Sequence, residues 1–344
     1  MERRIVNLPL ESLEQRYTGE WRQYFEQHMK PFLTIDGVPL TSKIEDGAFL
    51  DICGTNYFKA TQMADTVKFI YTNKKDRMDD VVFFTHDVWH CGIEALAYIR
   101  DGMKKRYKIA GCLHAGTYDK FDPITMMGMG YWGKDYENSL FRIFDYIFVA
   151  TEWHKRQLIH SRDVEPNKVH VTGFPIYFDK TKHEKVNKEN IIVLPNRLSK
   201  DKNPQMFEVV KEYFHWRQIK GWQFIRTFSD DGSFLSKEEY WKLLHRAKLM
   251  ISFADHENWG ISIQEMLFAG GYVIVPNKLS YVELYNPFVR YNNATDLFQI
   301  VEKVIMSMGG TETLITKLRE KDKEYALKRG REAIPNMLRI MNDE

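Results

Sequence analysis

The sequence predicts an α/β chain of two Rossmann-like parallel-sheet domains facing a cleft, and three observations carry that expectation. Short apolar runs rich in Val, Ile and Phe alternate with amphipathic stretches along most of the 344 residues. The alternation breaks once, over residues 176–190, where "YFDKTKHEKVNKEN" is charged and poor in apolar side chains. The length suits two domains of ordinary size.

Residues 1–33 read as helical, because "ESLEQRYTGEWRQYFEQHM" spaces its aromatics in helical fashion ahead of Pro31. The alternation then runs strand 81–86 ("VVFFTH"), helix 92–106, strand 108–116, helix 136–145, strand 146–151, helix 152–162 and strand 168–175, closing a first domain over 1–175. After the linker 176–190 come strand 190–196, helix 204–218, strand 222–228 and helix 236–247. That last helix opens on a capping box, Ser236 with Glu239 three residues on. Strand 249–254, helix 261–269, strand 272–276 and a helix near 295–308 complete a second domain over 191–310. The remainder, 311–344, is helical and is expected to pack back toward the first domain. Strands so regularly separated by helices pair in parallel and are covered on both faces.

Composition excludes more than it selects. The net charge is +2, and residues 1–175 carry 23 Lys/Arg against 24 Asp/Glu, so neither half is a basic nucleic-acid domain by bulk charge. A local cluster, Arg100, Lys104, Lys105, Arg106 and Lys108, reads first as a solvated helix end. Cys53, Cys91 and Cys112 are odd in number and widely spaced, which indicates neither a disulfide framework nor a cysteine zinc site and fits a reducing cytoplasm. No signal-peptide core opens the chain, and no apolar run reaches the roughly 20 residues of a membrane span, so no membrane is expected as a partner.

Ligands of open α/β sheets bind beyond the carboxyl ends of the strands. There the sequence places Arg197 and Lys202, after strand 190–196, and "DHENWG", after strand 249–254. Gly260 permits a tight turn, and the next helix begins at Ile261 with free N–H groups, a natural anion site. Two cations aimed at the same point would hold a diphosphate from both sides. Glu257, ahead of the helix, would reach a sugar beyond the phosphates. Glu265, one turn inside, would accept from ribose hydroxyls. Asn258 and Trp259 complete the donor loop.

This stretch resembles the Glu-x7-Glu signature of retaining glycosyltransferases of the GT-B fold. "NRLSKDKN" is similar to the Arg-Leu-x3-Lys element of that group, and "FVATEWHKRQLI…KVHVTGFPIYFD" to the segment that closes its N-terminal domain. The resemblance covers roughly residues 80–285. It implies a nucleoside diphosphate sugar as donor, a UDP-sugar first, with no prosthetic group and no required metal. It also implies that His114 in "HAGTYDKFD" contacts the transferred sugar or the leaving phosphate near the reaction centre, and so joins Glu257, Arg197 and Lys202 as a catalytic residue. Asn258, Asn196 and Asn203 stand where the group favours glycine. Its N-terminal glycine-rich loop is missing, and "CGTNYFKATQM", with Gly54 and Thr55, is the expected replacement.

On the acceptor side the expected residues are His86, Asp87, Tyr118, Asp119, Tyr131 and Trp132, with Lys104 and Lys105 as a cationic strip. An aromatic platform beside cations suits a base taken out of a duplex. The opening "LESLEQRYTGEW" and "GTNYFK" faintly resemble bacteriophage glycosyltransferases that decorate hydroxymethylated DNA bases. Double-stranded DNA carrying such bases is therefore the first acceptor expected, with a small molecule or glycan, or a non-catalytic nucleotide-sugar binder, as alternatives. "GMGYWG" (128–133) matches G-x-G-x-x-G, but no good strand precedes it. It is expected to be a mobile aromatic loop at the acceptor rather than a dinucleotide site. "DHE" (255–257) is a weaker candidate for a metal pair.

Overall fold

A computed structural model describes residues 3–13, 16–41, 51–76, 78–176, 186–196, 198–229, 233–308 and 313–342. The chain divides into two compact units, Met1–Tyr177 with Gly330–Glu344, and Phe178–Arg329. Most of the expected linker 176–190 lies outside the described residues, and so does Arg197.

The first unit is a six-stranded sheet in the order β2-β1-β3-β4-β5-β6, with every pairing parallel. Its elements are β1 (Arg4–Leu8), α1 (Thr18–Met29), β2 (Leu33–Thr34), α2 (Ile52–Thr72), β3 (Val81–Thr85), α3 (Glu94–Gly102), β4 (Lys108–Cys112), α4 (Gly130–Ile143), β5 (Tyr146–Val149), α5 (Glu152–Ser161) and β6 (Val169–Val171). Strand β1 corrects the helical reading of residues 1–33. Val6 and Leu8 are fully buried, and Ile5 and Val6 pair with Val82 and Phe83. A strand buried on both faces shows no alternation, so five residues of "RIVNL" cannot be told from a helical segment by periodicity.

"GMGYWG" is likewise not a loop. A π-turn over Thr125–Met129, broken at Gly128 (φ 85°), runs directly into α4. "CGTNYFKATQM" forms the first turns of α2, a helix of 21 residues, rather than a glycine-rich loop. Its start is capped by Asp51, whose carboxylate accepts from the Gly54 N–H at 2.8 Å.

The second unit is a five-stranded parallel sheet in the order β11-β10-β9-β7-β8. It contains β7 (Glu189–Leu194), α6 (Gln205–Trp216), β8 (Gln223–Arg226), α7 (Lys237–Arg246), β9 (Ala247–Ile251), α8 (Ile261–Phe268), β10 (Tyr272–Pro276), α9 (Tyr281–Leu284), β11 (Arg290–Tyr291) and α10 (Ala294–Ser307). The capping box at Ser236 and Glu239 is present. Helix α11 (Leu314–Asn342) ends the described chain, and its residues from Gly330 onward belong to the first unit.

Each sheet is buried on both faces. Val82, Phe83, Phe84, Ile109 and Phe148 are solvent-free in the first, and Ile191 to Leu194, Leu249 and Ile274 in the second. Each such side chain contributes about 1.5–3 kcal/mol of transfer free energy. That energy anchors the strands, so the residues just past their carboxyl ends are held in place without being buried in the core. Among the described residues no helix is long and apolar enough to cross a membrane.

Candidate functional site

In the second unit the loops after β7 and β9 are tied together. The Asp255 N–H donates to the Asp201 carbonyl (2.7 Å), and the Asn203 amide donates to the Asp255 carboxylate (2.7 Å) and the Phe253 carbonyl (3.0 Å). Asn203 adopts the left-handed conformation, φ 45°, and caps a short 3₁₀ turn over Lys200–Lys202. Asparagine tolerates that region better than other non-glycine residues, which explains how it replaces the glycine favoured there.

Lys202 sits at the junction, its side chain 8% exposed. The ammonium donates to the His256 carbonyl and lies 3.5 Å from Asp201 and 3.6 Å from Glu257. Gly260 is left-handed (φ 69°), the conformation that favours glycine, and a Cβ there would lie 3.2 Å from the Tyr281 ring, close enough that the ring would have to shift by a few tenths of an ångström.

The Glu257 carboxylate does not extend outward from its loop. One oxygen accepts from the N–H groups of Gly260 (2.8 Å) and Trp259 (3.3 Å), while the other faces Lys202. Burial pushes this carboxyl up, but Lys202, the Gly260 N–H, His256 and the Trp259 N–H together outweigh it and hold its pKa below the usual range. Glu257 is therefore an anion at neutral pH. It shapes the turn and neutralises Lys202 in part.

Glu265, on α8, is buried. It accepts from the Tyr240 hydroxyl (2.7 Å) and lies 3.9 Å from the Lys237 ammonium, both on α7. Asn258 and Trp259 are buried, and the Arg329 guanidinium lies over the Trp259 indole at 5.4 Å from its centroid. Ile261 opens α8. Asp255 is engaged by Lys278 and Asn203, which accounts for one member of the "DHE" pair within the protein.

In the first unit His114 lies two residues past β4. Its Nε2–H donates to the His86 carbonyl (2.8 Å), so its Nδ1 accepts from the Tyr17 hydroxyl (3.1 Å). The rings of Trp21 and Phe174 pack around it at 4.9 and 5.1 Å. Burial lowers its pKa, so the ring is neutral at pH 7. His86 is solvent-free, bonded through Nε2 to the Asn7 side-chain oxygen (2.9 Å), and burial drives its pKa down to about 3. The His86 side chain is thus enclosed by protein. Asp87 pairs with the nearly buried Lys59 (2.8 Å) and accepts from the Trp89 N–H (3.1 Å).

The remaining acceptor-side candidates separate. Tyr118 is not on a platform with Tyr131. Its hydroxyl meets His154 Nε2 (2.5 Å) and its ring lies under Arg162. Asp119 caps its own loop through the Phe121 N–H (2.8 Å). Trp132 clusters with Trp89 and Tyr136, and Tyr131 is 88% exposed. Lys104 and Lys105 precede β4 whereas His114 follows it, so they lie at the opposite end of that strand. The Lys105 ammonium is spent on the carbonyls of Lys74 and Asp76 (2.7 Å each). Gly54 and Thr55 sit in the first turn of α2, where the Thr55 hydroxyl donates to Glu11 (3.1 Å).

Several residues escaped the sequence reading. Glu137 is solvent-free and accepts from the Thr117 N–H (2.5 Å), the Thr117 hydroxyl (2.9 Å), Arg162 (2.6 Å) and the Trp89 indole N–H (3.2 Å). It thereby fixes the post-β4 loop that carries His114. Glu11, Lys59 and Tyr240 also act across long sequence separations. Lys59, inside "GTNYFK", and Glu11, inside "LESLEQRYTGEW", stood in stretches the sequence singled out, though neither residue was itself named.

Comparison with known proteins bears on this arrangement. No family model matches the chain. A tRNA-queuosine alpha-mannosyltransferase from Drosophila melanogaster is 28% identical over 173 residues, covering 40% of this chain and 45% of the relative, so the match spans less than half of that protein. Among solved structures, sucrose-phosphate synthase from Thermosynechococcus elongatus is similar with a TM-score of 0.64 at 9% identity, over 99% of this chain and 98% of that one. Anabaena HepE in complex with UDP and glucose gives 0.58 at 11% identity over 99% and 98%. S. aureus TarM, in a complex containing UDP, gives 0.57 at 15% identity over 82% of this chain and 59% of that one. The chain has the GT-B fold of these glycosyltransferases, with its two parallel-sheet α/β units.

Proposed function

We propose that this chain is a glycosyltransferase that moves a sugar from a nucleoside diphosphate sugar, a UDP-sugar first, to a hydroxyl acceptor with retention of anomeric configuration. The observation that carries the reading is Lys202, held by Asp201, Glu257 and the His256 carbonyl where the post-β7 and post-β9 loops meet the start of α8. A cation beside a helix start stabilises charge growing on a departing diphosphate, the largest catalytic contribution in such a transfer. Arg197 is assigned the second cation. Glu265 takes the ribose hydroxyls in this reading, and Glu257 orients the donor sugar from a loop whose shape it also holds. Asn258, Trp259, Gly260 and Ile261 line the donor. The complexes of HepE and TarM with UDP support the choice of nucleotide.

His114 is neutral and engaged on both ring nitrogens, so its contribution is positioning near the acceptor rather than proton transfer. No carboxylate nucleophile is invoked. The acceptor hydroxyl attacks on the face from which the diphosphate leaves, and the leaving oxygen takes its proton.

The acceptor we favour is a hydroxyl on a modified base in a nucleic acid, with hydroxymethylated bases of phage DNA as the first instance. The tRNA-queuosine alpha-mannosyltransferase, whose name describes transfer to a modified nucleoside of tRNA, supports this class. The balance of 23 Lys/Arg against 24 Asp/Glu in residues 1–175 favours a second reading, a small molecule or glycan. A screen of UDP-, GDP- and ADP-sugars by thermal shift tests the donor. Transfer of labelled sugar to duplexes with hydroxymethylated bases, to tRNA and to simple glycans tests the acceptor. The donor reading fails if no nucleotide sugar shifts the transition. Transfer to glycans alone removes the nucleic-acid reading.

A further inference from the structure

A transferase acting on one base of a polynucleotide must also hold the phosphodiester chain that carries it, and this requirement rests on the acceptor reading above. At the reaction end of the first unit the post-β4 loop offers one exposed cation, Lys120, which lies over its neighbour Phe121. His86 and His114 are neutral, and the charge of Lys59 is matched by Asp87. Cations elsewhere in the unit are better placed. A groove of about 610 Å³ runs beside β5 and the edge strand β6. It is lined by Lys108, Lys155, Asn167, Lys168, His170 and Arg339.

The acidic residues of the groove are Asp145 and Glu152. Asp145 is already matched by Arg100 (2.9 Å) as well as by Lys108 (3.3 Å). The Lys155 ammonium has no ion pair or hydrogen bond among the described residues. The Lys168 ammonium donates to the Arg142 carbonyl (3.1 Å), and its ion pair is with a largely exposed Glu165 at 3.3 Å, a contact weak enough to be exchanged for a phosphate. At its amino end the groove reaches Lys108, the start of β4, next to the exposed Lys104 and Arg106. Strand β5 spans about 13 Å at about 3.3 Å per residue, enough for two or three successive phosphates. Of the basic cluster singled out in the sequence, Lys108 lines this groove, at the opposite end of β4 from His114.

We infer that the groove beside β6 is a phosphodiester-binding track, with Lys155, Lys168, Lys108 and Arg339 as its cations and Asn167 as a neutral donor. The shared chemistry is a chain of phosphates, from RNA or from duplex DNA.

The test measures binding of the full chain to a labelled 20-nucleotide single-stranded RNA, to duplex DNA and to inorganic phosphate, by fluorescence anisotropy and competition over a salt series. Three phosphate contacts predict a slope of log K against log salt near −2 on a single strand and steeper on duplex DNA. Lys155→Glu/Lys168→Glu should weaken polynucleotide binding at least tenfold and flatten the slope. Lys155→Glu alone, which breaks no ion pair, should give a smaller loss with an unchanged melting temperature. UDP thermal shift on the same samples reads the donor site independently. Polynucleotide binding that is lost in the double variant while the UDP shift persists supports the track, and the tighter polymer names its source. Wild-type affinity and slope in the double variant, or binding of neither polymer, overturns it.

Discussion

Replacing Lys202 with methionine separates catalysis from folding. The ammonium is nearly buried and faces two carboxylates, Asp201 at 3.5 Å and Glu257 at 3.6 Å, so its removal leaves both uncompensated. Breaking a buried pair from one side costs about 3–5 kcal/mol. Loss of one charge-assisted contact to the leaving diphosphate costs a further 1.5–3 kcal/mol or so in the transition state. Lys202→Met should therefore lower the melting temperature markedly and cut turnover about 10- to 150-fold in the fraction that remains folded. Lys202→Met/Glu257→Gln removes one stranded charge. It should recover part of the lost stability and none of the turnover. Denaturant melts with single-turnover transfer or donor hydrolysis, arranged as a double-mutant cycle, read the two effects separately. Turnover within threefold of wild type in folded Lys202→Met would refute the placement of this cation at the leaving group. Recovery of turnover in the double variant would show that Lys202 acts only by neutralising Glu257.

Glu265→Ala should weaken UDP and the UDP-sugar alike, and Tyr240→Phe, which removes one hydrogen bond to Glu265, should do so by a smaller factor of about 3–10, roughly 1 kcal/mol, by calorimetry. Gly260→Ala places a Cβ at positive φ and against Tyr281, so it should lose about 1–2 kcal/mol of stability and weaken diphosphate binding. His86 and His90 are buried neutral, with folded pKa values of about 3 and about 4 against an ordinary 6.5. Below pH 6.5 the unfolded chain binds more protons than the folded one. Stability should then be full above pH 7 and fall by about 1–3 kcal/mol per pH unit between pH 6 and 4. A flat melting temperature across that window would contradict the neutral assignment. Glu137→Gln, which keeps shape but strands Arg162, should raise the acceptor KM while leaving UDP affinity unchanged. An equal loss for both ligands would make Glu137 merely structural.

Local chemistry determined much of this protein before any tertiary contact was considered. Strand β9, the "DHENWG" turn, Gly260 and α8 follow from short-range rules, namely a short apolar run, a residue suited to positive φ, and a helix that opens behind it. The parallel α/β architecture follows in the same way from repeated alternation. Strand β1 did not, because five residues buried on both faces carry no period, and its identity is decided by pairing with β3. The site residues divide along the same line. That Glu257 and Lys202 share one sheet end was legible from their positions after strands. That Glu257 folds back on its own N–H groups, that both nitrogens of His114 are occupied, and that Tyr118 joins His154 under Arg162 were settled only by packing. The cations at Lys104 and Lys105 show the limit most directly. A sequence lists charges but not the end of a strand on which they fall, and here about five residues of β4 separate them from the histidine they were expected to accompany.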